Sequence, residues 1–280
     1  MVAHRKPLRS YWRRGVLYLA LICSSVIMFF PFYWSVTTAM KLEQNIYVTP
    51  PQWWPDPATI RHYIVVLTTI PFPRFFLNSL FVASMITLGH VFFDTLAAYA
   101  FAKLRFPGRN PILFLMLMGL MVPMQVNLIP MYRIMAIFHW LDTYAALIIP
   151  SLTSITGIFL MRQFMQSVPD EILDSARIDG CSEFGVFWRI MFPLSLPGIA
   201  TLVIITFMNA WNDFLWPRIV TSSAKMFTLP VGLTQLQFKY TSNEGQVMAG
   251  TVLVMLPMIL VFLIMQRQFI ESLTAGAVKG

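Results

Sequence analysis

Charge is what this chain has least of. Lys, Arg, Asp and Glu make up 11% of its 280 residues, against about 25% in an ordinary soluble domain. So few charges cannot cover a water-facing surface, which excludes a soluble globular class. Cysteine is nearly missing as well. Cys23 sits in an apolar run and Cys181 in a charged one, so neither a disulfide nor a metal site is expected. No Gly-Lys pair occurs anywhere. A phosphate-cradling loop needs Gly-x-x-x-x-Gly-Lys followed by Ser or Thr, so nucleotide hydrolysis is not expected on this chain and no catalytic residue is assigned. Internal repeats and low-complexity tracts are missing too.

What is present is apolar length. Hydrophobic residues make up 57% of the chain and the mean hydropathy is +0.67. Continuous apolar runs of roughly 20 residues read as membrane-spanning helices, and the absence of period-two alternation excludes a membrane barrel. The fold class is therefore all-α, a polytopic membrane protein with six transmembrane helices. The spans are expected near 16–39, 75–101, 111–130, 143–163, 195–216 and 247–266, within a six-span membrane domain 16–270. A segment 1–15 precedes them and a tail 271–280 follows. The first run follows Arg5, Lys6, Arg9, Arg13 and Arg14 and lacks a small-residue cleavage pattern, so it is read as an uncleaved span.

A net charge of +8 raises nucleic acid as a partner, but lysines and arginines flanking spans set orientation instead. With the N-terminus inside, thirteen basic residues fall on the inner side and seven on the outer. Both termini are then cytoplasmic, with the lipid bilayer as one partner and no nucleic acid. The outer segment 41–74 is rich in proline and carries Trp53 and Trp54. It is expected to be an extended external loop ordered by contacts. The 19 methionines are read as adaptable packing, not as copper ligands.

Scarce acid is concentrated in one place. Asp170, Glu171, Asp174, Asp179 and Glu183 are five of only 12 acids in the chain. Within 167–192, Ser167 is a candidate cap, Pro169 suits a first turn, and Asp170 and Glu171 suit the positive end of a helix. Gly180 is a helix terminator, and Ser182 is a candidate cap for a second helix with Phe184, Phe187, Trp188 and Met191 at helical spacing. Two short cytoplasmic helices with a glycine bend are the expectation. Helices that lie on anionic lipid are rich in Lys and Arg, so this acidic pair suits a protein partner better.

The segment resembles the coupling region of permease subunits of binding-protein-dependent ABC importers. That pattern runs Glu-Ala-Ala, then Asp-Gly-Ala, then Ile-x-x-Pro-Leu. Here Asp174-Ser175-Ala176, Asp179-Gly180-Cys181 and Ile190-Met191-Phe192-Pro193-Leu194 occupy those places. The departures keep charge or small size. "AAYAFAKLRFPGRN" (97–110), "VPMQVNLIPMY" (122–132), "LDTYAALIIPSL" (141–152), "FLMRQF" (159–164), "NAWNDFLWP" (209–217) and "TAGAVKG" (274–280) are similar to the smaller, six-span subunit of maltose-type carbohydrate importers. The resemblance implies a sister permease, two ATPase subunits that hold ATP and Mg, and an extracytoplasmic solute-binding protein. It also implies that Glu171, Asp174, Ser175, Ala176, Arg177, Asp179 and Gly180 couple the chain to an ATPase, and that the C-terminal tail touches it. No cofactor is expected on this chain itself.

Polar groups inside spans are costly and point to function first. Asn209, Trp211, Asn212 and Asp213 combine planar polar groups with an aromatic face, which is sugar-binding chemistry; the alternative is an interfacial aromatic belt. Gln125 and Asn127 are further pathway candidates, near Pro123 and Pro130. His90 and Asp94 lie four apart on one helical face, either as a mutually satisfied pair or as the proton relay of a secondary carrier, the competing class.

Overall fold

The computed structural model describes residues 8–239 and 243–277, with side chains at 14–236, 243–264 and 266. The ends of the N-terminal segment and of the C-terminal tail, 1–7 and 278–280, lie outside the described residues. Among the described residues every regular element is helical.

The helices are α1 (Leu8–Ala39), α2 (Arg61–Thr69), α3 (Phe72–Lys103), α4 (Arg109–Gly119), α5 (Met124–Ile137), α6 (Tyr144–Ser151), α7 (Ile155–Gln166), α8 (Asp170–Ile178), α9 (Glu183–Leu194), α10 (Leu196–Asn212), α11 (Leu215–Val220), α12 (Leu229–Lys239) and α13 (Glu244–Ala277). Three stretches are long and apolar enough to cross a membrane alone: Arg14–Ala39, Phe72–Lys103 and Glu244–Ile264. Three bent pairs meet the same test together. They are α4 with α5 at 99°, α6 with α7 at 42°, and α9 with α10 at 77°. The expected third span is therefore broken. Pro123, which fixes φ and has no N–H to give, stands at the break with φ −59° and ψ 138°, and the second piece runs on to Ile137.

The chain forms two compact units, 1–70 with 236–255, and 71–235 with 256–280. In the first, the proline-rich segment folds back on the end of α1. Tyr33 donates its hydroxyl to the Trp53 carbonyl at 2.7 Å, and the Trp34 and Trp53 rings meet edge to face at 6.1 Å. Lys41 Nζ lies 4.2 Å from the Trp34 ring centre, and His62 Nε2 is 2.9 Å from the Lys41 carbonyl. The segment is ordered by contacts as expected. It is not extended throughout, because its last third is helix α2.

The second unit packs α3 against α7 and α10. Two apolar clusters fill it. One joins Ala98, Tyr99, Met161, Met165, Ile199 and Leu202 to residues of α8 and α9. The other gathers Val82, Ile86, Met135, Leu147, Trp216 and Val220, with Trp216 donating its ring N–H to the Ala146 carbonyl at 2.9 Å. Gly157 sits where α7 crosses α3; a Cβ there would overlap the Asp94 carboxylate.

Candidate functional site

The acidic segment is two helices joined by a left-handed glycine. α8 starts after Pro169 and ends at Ile178, with Asp170 and Glu171 in its first turn and Arg177 in its last, an arrangement that complements the helix dipole at both ends. Gly180 has φ +86°. Its N–H reaches the Arg177 carbonyl and that of Cys181 the Ala176 carbonyl, both at 3.0 Å, which is a Schellman closure requiring φ > 0 at glycine. Ser182 caps α9 by accepting from Gly185 N at 3.2 Å. Ser167 does not cap α8. It stands at the C-terminal cap of α7 with helical backbone angles, and its hydroxyl donates to the Phe164 carbonyl.

The inner face of this elbow belongs to the core. Leu173, Ala176, Val186, Phe187 and Met191 are buried against α3, α7 and α10. Ala176 therefore positions the segment and offers nothing to a neighbour. Polar ties hold both ends. Lys103 Nζ, at the end of α3, donates to Asp170 Oδ1 at 2.5 Å and to the Val168 carbonyl at 2.6 Å. Arg177 donates through Nη1 to Asp174 Oδ1 at 2.6 Å, and through Nε and Nη2 to Glu183 at 2.7 and 3.2 Å. Glu183 Oε2 also accepts the Tyr99 hydroxyl at 2.7 Å.

These bonds set the titration of the site. The Lys103 ammonium holds the Asp170 carboxyl below the usual range. Arg177, and then Tyr99, do the same for Glu183, and the hydrogen bond to Glu183 makes the Arg177 guanidinium hold its proton more tightly. The outer face carries Glu171, Ser175 and Asp179, with Ile172 and Phe184 exposed and Ile178 86% exposed. Among the described residues Glu171 and Asp179 have no ion pair. The expected coupling residues thus divide: Glu171, Ser175, Asp179 and Gly180 lie on the outer surface, Asp174 and Arg177 tie the elbow together, and Ala176 is inside. Tyr99, Lys103 and Glu183 were not singled out by the sequence. Lys103 and Tyr99 lie 67 and 84 residues from their partners, and no local pattern connects them.

The solute-pathway candidates are less convergent. Trp211 is 0% exposed, stacked on Phe207 at 5.8 Å and edge-on to Phe76 at 5.7 Å. Its ring offers no face to a solute in this conformation, because it fills the gap between α10 and α3. Asp213 accepts from Trp216 N, in the first turn of α11, at 3.4 Å. Asn209 and Asn212 are exposed on α10, and Gln125 and Asn127 on α5.

His90 and Asp94 form a closed pair at a π-helical turn of α3. His90 Nδ1 lies 2.6 Å from Asp94 Oδ2, while Asp94 Oδ1 accepts from the Thr153 hydroxyl at 2.5 Å and from Ser154 N at 3.2 Å. Asp94 is 0% exposed. A carboxylate with both oxygens engaged ties α3 to the start of α7.

Helices of spanning length with a charged elbow bonded to their ends define a helical integral membrane protein. Residues 94–274 match the family described as binding-protein-dependent transport system inner membrane component. The arabinooligosaccharides transport system permease protein AraQ of Bacillus subtilis (strain 168) is 42% identical over 207 residues, 74% of each chain. The sn-glycerol-3-phosphate transport system permease protein UgpE of Yersinia pestis bv. Antiqua (strain Antiqua) is 36% identical over 276 residues, 93% of this chain and 97% of that one. A solved bacterial ABC transporter involved in the import of the acidic polysaccharide alginate superposes with a TM-score of 0.83 at 21% identity, covering 94% of this chain and 99% of that one. At that identity the likeness speaks for the fold. A second, of a bacterial alginate ABC transporter in complex with an alginate pentasaccharide-bound periplasmic protein, gives 0.66 at 14%, covering 93% and 96%. The chain belongs to the inner-membrane components of binding-protein-dependent transport systems. The proton-driven carrier is thereby set aside.

Proposed function

We propose that this chain is one of two permease subunits of an ATP-driven importer for a sugar or sugar-like solute. Relatives named for arabinooligosaccharides and for sn-glycerol-3-phosphate support that cargo class. It crosses the membrane six times, through 14–39, 72–103, 109–137, 144–166, 196–212 and 244–264, with both termini cytoplasmic. A sister permease completes the path, an extracytoplasmic binding protein delivers the solute, and two ATPase subunits supply the energy. One of those subunits seats on the elbow 169–191. ATP binding moves the elbow, and the spans turn between inward-open and outward-open. Gln125, Asn127, Asn209, Asn212 and Asp213 line the solute side; Trp211 supports them from behind.

The observation that carries this reading is the two-faced elbow. Its inner side is packed and bonded to α3, and its outer side presents Glu171, Asp179 and a protruding Ile178. Gly180→Pro removes an N–H and cannot reach φ > 0. Asp174→Lys places a second cation where Nη1 of Arg177 now finds a carboxylate. Both variants are expected to insert normally and to abolish solute uptake. Normal uptake at normal expression in both refutes the assignment.

A further inference from the structure

The turn that joins α3 to α4 has a feature that coupling and solute passage do not use. Arg105, Phe106, Gly108, Arg109, Asn110 and Pro111 line an open cavity of about 380 Å³. No acid lines it. Arg109 spends Nη1 on the Leu104 carbonyl at 3.1 Å, which folds its side chain back over the turn and leaves the rest of the guanidinium free. Arg105 is exposed and makes no hydrogen bond or ion pair among the described residues. The nearby Asp170 is already taken by Lys103. Two guanidinium groups, whose forks match the oxygens of a phosphate, therefore share one cavity in which, among the described residues, no acid forms an ion pair with either; Asp170 acts on Arg105 only through space.

The cavity also has an apolar exit. Phe106 packs on Phe101 at 5.8 Å on one side. On the other, α4 begins at Arg109 and carries no further charge; its Ile112, Leu115 and Met118 are exposed at three-residue spacing. An inorganic anion would satisfy the arginines and leave that apolar track unused. An acidic peptide would meet the same mismatch. A molecule with an anionic head and long apolar chains fits both parts. Basic groups at the inner ends of spans attract anionic lipid, and this turn lies on the side expected to be cytoplasmic.

We propose that the cavity at Arg105 and Arg109 holds the phosphodiester headgroup of an anionic phospholipid, whose acyl chains lie along Ile112, Leu115 and Met118. The test is native mass spectrometry of the full chain titrated with phosphatidylglycerol or phosphatidylcholine. Wild type should retain phosphatidylglycerol preferentially. Arg105→Gln, which breaks no bond in the structure, should weaken that retention about fivefold, the equivalent of ~1 kcal/mol for one basic residue. Arg105→Gln with Arg109→Gln should lose the preference, and Arg133→Gln should leave it intact. Unchanged preference in Arg105→Gln overturns the proposal. So does displacement of the lipid by millimolar inorganic phosphate, which would mark a free-anion site. If the double variant keeps its lipid but loses a co-purifying ATPase, the arginines serve a protein interface and the proposal fails.

Discussion

Arg177→Met removes the one side chain that ties the two arms of the elbow together while keeping an apolar stem in place. Three hydrogen bonds go with it, one to Asp174 and two to Glu183. The Arg177 side chain is 30% exposed and that of Glu183 49%, so solvent screens the pair. Exposed ion pairs contribute about 0.2–1 kcal/mol each, with forked geometry and networks at the upper end. The Tyr99 hydroxyl bond to Glu183 makes this a network, and the loss comes to about 1–2 kcal/mol, a factor of roughly 5–30 in a local opening equilibrium. Hydrogen exchange reads that factor directly. Amides of 176–186 should exchange faster by that amount, while those of α7 stay unchanged as an internal reference. Unaltered protection across the elbow refutes the clamp. Equal acceleration in α7 refutes the idea that the effect is local.

The Glu183 carboxyl is held below its ordinary value, chiefly by Arg177 and then by Tyr99. Its contribution is therefore fully present above the free glutamate value of about 4.3 and is lost as pH falls through the lowered folded value; elbow protection should be flat from neutral to about pH 5 and drop only below about pH 4. Gly157→Ala pushes a methyl group into an Asp94 carboxylate that Thr153, Ser154 and His90 hold fixed, so a loss of about 1–3 kcal/mol should lower the melting temperature in detergent. At Gly180 nothing stands within 4 Å of an added Cβ, so Gly180→Asn, which tolerates the left-handed region, should keep uptake, whereas Gly180→Val should impair it through backbone strain alone. Trp211→Ala should destabilise the purified protein by about 3–5 kcal/mol, because the ring fills the core; unchanged melting would return Trp211 to the solute path.

Long apolar runs were legible from sequence because hydropathy is a local property, and α1, α3 and α13 came out close to expectation. The broken pieces were not. A run such as 111–130 is equally apolar whether it is straight or bent, and only the backbone at Pro123 reveals the 99° turn. Gly180 and Ser182 were readable because capping chemistry acts within a few residues. Ser167 misled because α8 begins only at Asp170, which puts Pro169 in the cap position and leaves the serine two residues short of it. The pathway cluster divides between core and surface for a different reason. Asn209, Trp211, Asn212 and Asp213 are adjacent in sequence, but a helix turns about 100° per residue and sends the tryptophan into the core as Asn209 and Asn212 face out. Lys103 and Tyr99 were invisible as site residues because their partners are distant in the chain.

The same contacts would carry a displacement of the elbow, as proposed above, into the membrane helices. α3 meets its neighbours at two heights. At its end, Lys103 and Tyr99 bond the two arms of the elbow, and the Phe101 carbonyl accepts from Arg162 of α7 at 3.3 Å. Nine residues earlier, about 13 Å along the helix axis, Asp94 bonds the start of α7. Two attachments separated along a rod prevent rotation about either one. α3, α7 and the elbow must therefore shift as a body, and a displacement at α8 cannot be absorbed in the three-residue link between Gln166 and Asp170. A buried ionisable pair within a span is costly, and this geometry gives it a purpose other than proton transfer. His90 and Asp94 fasten the far end of the unit to which the acidic elbow is bonded.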